Sequence, residues 1–185
     1  MYCLIDPVSM ADYQGEDAIY VVDYGPNGLP IVGHARLYIQ DEEGNWQMTQ
    51  YTGQFPFPWT ANITYGTPKG MYKDELDTIL SGDPLTQAKY TYIEGDFSES
   101  CKVADSYKGT DYGGYRLGTN NCLHYVREIL TYGIFEDSAV ETTVYASYTN
   151  VPIVFFSDLS IAKNSGILRG KGIADDGEKW LVWKE

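Results

Sequence analysis

The sequence predicts an α+β domain in which an antiparallel sheet packs against a helix that carries Cys122 at its N-terminus. Three observations lead there. Ala35, Leu37 and Ile39 alternate with His34, Arg36, Tyr38 and Gln40, the period of a strand, and Asp41-Glu42-Glu43-Gly44 reads as a hairpin turn into a returning strand over 45–52. Residues 122, 125, 126, 129, 130 and 133 (Cys, Tyr, Val, Ile, Leu, Gly) form one apolar stripe at helical spacing. Asn120 or Asn121 can cap that helix, and Gly133 suits its end.

The other elements follow in chain order. Residues 17–24 read as a strand, before the turn-rich Gly25-Pro26-Asn27-Gly28. The stretch 53–69, with Phe55-Pro56-Phe57-Pro58-Trp59, reads as a long loop that either lines a substrate cleft or completes the core. A short helix is expected at 71–81, a strand at 88–95, and helices at 97–108 and 121–132. Beyond them, 143–146 and 151–156 look strand-like, and 180–183 irregular. One domain spanning 1–185 is expected, with its core over about 17–133 and a C-terminal extension, 134–185, that the pattern does not place.

Composition excludes several classes. At 43% hydrophobic, 185 residues can bury a core without covalent staples. The three cysteines, 3, 101 and 122, are odd in number and unpatterned, so a disulfide framework is not expected. Net charge is −13, which repels nucleic-acid phosphates and anionic membrane surfaces. No run is long and apolar enough to span a membrane, and no leader is recognisable, so the expected location is cytoplasmic or within a larger exported protein. Two distant histidines and no Cys-x-x-Cys assemble no zinc set, no phosphate-cradling glycine motif occurs, and no cofactor is expected.

Cys122 is the candidate nucleophile. A thiol at a helix N-terminus feels the positive end of the macrodipole, and the first-turn N–H groups, Cys122 N–H foremost, can receive an oxyanion. The candidate base is His34. His124 lies about 200° round the helix from Cys122, so its expected role is local hydrogen bonding. Cys101 reads as a core thiol and Cys3 as a bystander.

Asn121-Cys122-Leu123-His124-Tyr125-Val126 resembles the Asn-Cys-x-His-Phe-Val box of circularly permuted papain-like enzymes. These include lecithin retinol acyltransferase-like proteins, permuted NlpC-type hydrolases and peptidase domains of bacterial Rhs-type polymorphic toxins. Gly33 to Ile39 followed by Gly44-Asn45-Trp46 resembles the family's histidine hairpin, which precedes the cysteine; His34 and Cys122 are 88 residues apart. Tyr112 to Thr119 resembles its tyrosine-rich lead-in. The resemblance covers about 17–133 and implies a permuted papain-like fold with a catalytic Cys122–His34 pair.

It also implies a polar residue on the next strand to orient His34. Pairing across a 41–44 turn puts Gln47 or Thr49 opposite the histidine's face; a bulge brings in Gln50 instead, and Thr49 and Gln50 are carried as candidates. Trp59 and Asn121 are the candidate substrate-binding residues. The implied activity is a cysteine peptidase or amidase acting on a peptide or amide substrate, in a toxin or effector setting with an immunity protein as partner. A lipid acyltransferase or thiol lipase of the same fold is the first alternative, and a catalytically silent binding module the second.

Overall fold

The computed structural model describes residues 17–23, 33–54, 57–83, 85, 87–116 and 118–170, without the side chains of 54, 57–60 and 165–170. Cys3, the turn at 25–28 and the end at 180–183 lie outside them. Among the described residues the architecture is α+β: a five-stranded antiparallel sheet, a two-stranded one and five helices.

The large sheet comprises β1 (Ala18–Asp23), β2 (His34–Gln40), β3 (Trp46–Gln54), β4 (Phe57–Gly66) and β5 (Ala88–Ile93), in the order β4-β3-β2-β1-β5. Helix α1 (Met71–Leu80) covers one face; α2 (Ser98–Ser106), α3 (Cys122–Leu130), α4 (Ser138–Ala146) and α5 (Pro152–Gly170) form the layer on the other. Strands β6 (Gly95–Asp96) and β7 (Ile134–Phe135) pair beside that layer. The internal strand β1 is buried at every position, because alternate side chains enter two different cores. Ala18, Tyr20 and Val22 pack with α3 and α5, whereas Ile19 and Val21 pack with Leu76 and Ile79 of α1. Among the described residues no helix is long and apolar enough to cross a membrane.

Two sequence expectations are corrected. The loop expected over 53–69 is strand: β3 continues to Gln54 and β4 occupies 57–66. Proline signalled a loop, but Pro58 falls where the β3–β4 pairing skips from Phe57 to Ala61 in an edge strand, and edges and bulges are where a sheet tolerates proline. The strands expected at 143–146 and 151–156 are helical. Their β-branched and aromatic residues suggest strand, but Asp137 caps α4 by accepting from Ala139 and Val140 N–H, and Pro152 opens α5 at a position where its missing N–H costs nothing. Val140, Val144, Phe155 and Leu159 then join the core that holds Cys122, so the extension completes the main hydrophobic layer.

The β2–β3 hairpin differs from expectation by one residue. Asp41 N–H donates to Asn45 O (3.0 Å) and Gly44 N–H to Asp41 O (2.8 Å), with Gly44 at φ 77°. The loop proper is therefore Glu42-Glu43-Gly44, a type I turn closed by a left-handed glycine. An odd loop pairs even with even: Arg36 faces Gln50 and Tyr38 faces Met48.

Candidate functional site

His34 is the first residue of β2, opposite Asp23 on β1. The chain enters the strand through Gly33 at φ 73°, where a Cβ would lie 2.6 Å from Val22 Cγ2. Only glycine allows so tight an approach with that backbone. Cys122 is the first residue of α3, and Asn121 is its cap, accepting from Leu123 N–H (2.9 Å) and His124 N–H (3.2 Å). The His124 Nδ1 accepts from Asn121 N–H (3.4 Å), completing a capping box. Burial, with Arg127 nearby, lowers the pKa of His124, which suits this neutral acceptor role.

The cap modifies the expected anion hole. With Leu123 and His124 N–H engaged by Asn121, Cys122 N–H is the first-turn donor that the cap does not use.

The lead-in loop folds back on itself before α3. Asn120 Nδ2 donates to the carbonyls of Tyr112 (2.7 Å) and Gly114 (2.8 Å), and Arg116 and Asn120 exchange backbone hydrogen bonds. This presents Tyr115, whose side chain rests against β3 at Gly53: a Cβ there would be 2.9 Å from the ring. Its hydroxyl donates to Cys122 Sγ (3.7 Å), which also receives Ala35 N–H (3.4 Å).

Cys122 and His34 are neighbours, and each is the largest influence favouring the other's charged form. The ring's Nε2 meets Gln50 Oε1 at 3.1 Å, leaving Nδ1 for the sulfur. Both side chains are buried, Cys122 at 2% exposure and His34 at 7%. Burial is the largest influence on each and disfavours both charged forms. Their influence on each other outweighs it, aided at the sulfur by Ala35 N–H and Tyr115 and at the ring by Gln50. The net result is a raised His34 and a lowered Cys122, an arrangement that favours thiolate and imidazolium together. Cys101 is also buried but has no such partner, and burial pushes it up to about 11.

Of the orienting candidates, the structure brings only Gln50 to the ring. The expected odd-face pairing is corrected by the three-residue loop: Thr49 points into the opposite core, where its hydroxyl meets Tyr125 OH (2.5 Å) and Thr64 O (3.0 Å). Gln47 turns away to Asp41 Oδ2 (3.0 Å). Asn121 is 1% exposed, and its side chain is committed to the cap and, through Nδ2, to Asn150 O (3.0 Å), so its placement is that of a brace between α3 and the α4–α5 connection, not of a substrate contact. Trp59 lies in β4, its side chain outside the described residues. An open cleft of about 650 Å³ over β3, β4 and α1 is lined by Gln47, Met48, Lys69, Tyr72 and Lys108, among others, and by neither Cys122 nor His34.

Sequence reasoning missed Tyr115 and Tyr72. The first stands in a run of tyrosines that gave no reason to choose one of them; the second sits on a helix with no sequence link to the site.

No family model, curated protein or solved structure matches the chain. The functional reading therefore rests on these side chains.

Proposed function

We propose that the protein is a thiol hydrolase of permuted papain-like design, acting on peptide-type amides with Cys122 as nucleophile and His34 as base. The observation that carries this reading is the buried Cys122–His34 contact at the start of α3, with its thiol lowered, its imidazole raised and the far ring nitrogen held by Gln50. A structural cysteine in an apolar core has its pKa raised, as Cys101 does; an opposed pair of shifts is what acyl transfer uses.

In this mechanism His34 Nδ1 holds the proton given up by Sγ. The thiolate attacks the carbonyl carbon; the S–C bond forms as the carbonyl π pair moves onto oxygen. Cys122 N–H, at the positive end of α3, donates to that oxyanion. The imidazolium then gives its proton to the leaving nitrogen as the C–N bond breaks, which leaves a thioester. Water, deprotonated by His34, attacks the thioester and frees the acid and the thiol. Tyr115, laid over the sulfur, has to swing off Gly53 to admit a carbonyl, and its hydroxyl is then available to the tetrahedral centre.

The preference for amide over lipid ester rests on the two motifs at 33–39 and 121–126 and their resemblance to toxin-associated peptidases. A panel of peptide amides and phospholipid esters, followed by mass spectrometry, tests it. Turnover of amides by the native chain and its loss in Cys122→Ala is the expected result. Turnover of esters alone would move the protein to the acyltransferase reading. A chain that turns over neither and whose Cys122 alkylates no faster than Cys101 would be a binding module.

A further inference from the structure

An amide can hold an imidazole in two opposite ways. If Gln50 presents its carbonyl to His34 Nε2, the ring donates there and Nδ1 remains the base; if it presents its NH2, the proton is forced onto Nδ1 and the base is lost. An imidazolium has no acceptor at all, so the ion pair tolerates only the carbonyl orientation. A carboxylate in this place would need no such choice, having two equivalent oxygens. Gln50 does, and something must hold its NH2.

That partner is on α1. Gln50 Nε2 donates to the Tyr72 hydroxyl at 3.0 Å. Tyr72 is itself fixed at two other points. Its backbone carbonyl accepts from Tyr38 OH (2.9 Å), and its ring lies under the Arg36 guanidinium, 5.4 Å from the ring centre. Arg36 is 2% exposed, bidentate to Glu75 (2.7 and 2.6 Å) and 3.3 Å from Asp23 Oδ2. The same Tyr38 hydroxyl lies 2.7 Å from Glu75 Oε1, so its single proton is shared between the two acceptors. This buried cluster joins β1, β2 and α1 on the sheet face opposite α3. The charged and titratable groups around His34 are thus Cys122 from α3, Arg36 from β2, Asp23 from β1 and, behind Arg36, Glu75 from α1.

We propose that Tyr72 is a positioning residue for the Cys122–His34 pair: its hydroxyl oxygen anchors the Gln50 NH2, keeps the Gln50 carbonyl on His34 Nε2, and so commits Nδ1 to the thiol. The proposal rests on the reading of Cys122 and His34 as the reacting pair. It makes α1, on the far side of the sheet from the nucleophile, part of what sets the thiol's reactivity. Without the hydroxyl, a buried NH2 loses its acceptor and the amide turns to find another.

The test is the pH profile of iodoacetamide labelling at Cys122 in the full chain, compared among wild type, Tyr72→Phe, Gln50→Glu and the double variant, with a thermal midpoint for each. Tyr72→Phe keeps the ring on Arg36 and removes only the oxygen. It is expected to slow labelling near pH 6.5 by about 3- to 10-fold, the range one buried hydrogen bond is worth, and to shift the profile to higher pH with an unchanged alkaline plateau. In the Gln50→Glu background the same substitution should leave the profile where it is, since a carboxylate has nothing to flip. A Tyr72→Phe profile that superimposes on wild type overturns the role of Tyr72 while leaving the pair intact. So does an equal shift in both backgrounds, the mark of a merely structural tyrosine. A wild-type profile with no step below the ordinary thiol range removes the pair itself, and this proposal with it. If Tyr72→Phe fails to fold, hydrogen exchange of the Gln50 side-chain NH2 in the wild-type chain decides: protection supports the anchor, and exchange at the rate of exposed amides overturns it.

Discussion

Cys101 and Cys122 are both buried, unpaired thiols, yet burial raises the pKa of one while its neighbours lower that of the other. Cys101 faces the Gln40 carbonyl at 3.4 Å, which cannot stabilise a thiolate, and its one favourable neighbour, the Tyr65 hydroxyl, is outweighed by burial and by Asp41. Cys122 faces an imidazole and two donors, Ala35 N–H and Tyr115 OH. Labelling at pH 6.5 should therefore modify Cys122 well before Cys101, read by peptide mass spectrometry. The sign of the pH dependence follows from the two shifts. Cys122 is lowered, so the thiolate persists to lower pH than an ordinary cysteine; His34 is raised, so the imidazolium persists to higher pH. In the proposed mechanism the reactive ion pair exists where these two ranges overlap, and kcat/KM should rise with pH on the Cys122 limb and fall on the His34 limb. In His34→Ala the lower limb should move to higher pH, because only Ala35 N–H and Tyr115 then oppose burial, the largest influence on the thiol. An unshifted limb would remove His34 from the mechanism.

Each helix and strand end around the site is set by one or two residues whose loss has a separable effect. Asn121→Ala removes a cap that satisfies two N–H groups, and should cost about 0.5–2 kcal/mol. At about 2–4 °C of melting temperature per kcal/mol for a domain of this size, the loss is measurable by circular dichroism. Gly53→Ala has a different signature. Its Cβ would stand 2.9 Å from the Tyr115 ring, so the tyrosine must lift from β3 and withdraw its hydroxyl from Sγ. The apparent pKa of Cys122 labelling should rise in this variant. If labelling is unchanged, Tyr115 does not tune the thiol. Gly133, two residues past the Thr131 C-cap of α3, is glycine for a reason other than the left-handed cap its position suggests: a Cβ there would meet the ring of Phe97, the N-cap residue of α2, at 2.2 Å, so close packing and not backbone conformation requires it.

At the scale of the molecule, the site depends on both faces of one sheet. The α2–α5 layer carries the thiol; the α1 face carries the polar groups behind His34. Residues of α4 and the first part of α5, beyond 133, belong to this construction. Phe155 is fully buried, edge-on to Tyr20 at 5.3 Å, and Tyr20 OH donates to Pro152 O (2.9 Å). Phe155→Ala should thus destabilise the whole domain by about 3–5 kcal/mol in denaturant titration. A loss under about 1 kcal/mol, the scale of a surface substitution, would mean that α5 is an appendage after all.

Much of this was legible in the sequence where a local period or a short motif carried it. The alternation at 34–40, the stripe at 122–133, the Asn121 cap and the helical span at 71–81 all depend on neighbours within a turn or a strand, and their elements formed as read. The residue types at 143–156 misled because strand propensity is weak where a cap, an N1 proline and a sheet face to pack on all favour helix. Register turned on one residue: whether the loop after Gln40 holds three residues or four decides if Gln50 or Thr49 shares the face of His34, and the left-handed Gly44 settled it. The sequence by itself determined a cysteine at a helix start and a histidine on a strand. Only the tertiary structure decided that they meet, that Gln50 orients the ring and that Tyr72 and Tyr115 stand beside them. Those contacts join residues 7 to 88 positions apart, and their geometry is set by sheet order and packing, which no local pattern encodes.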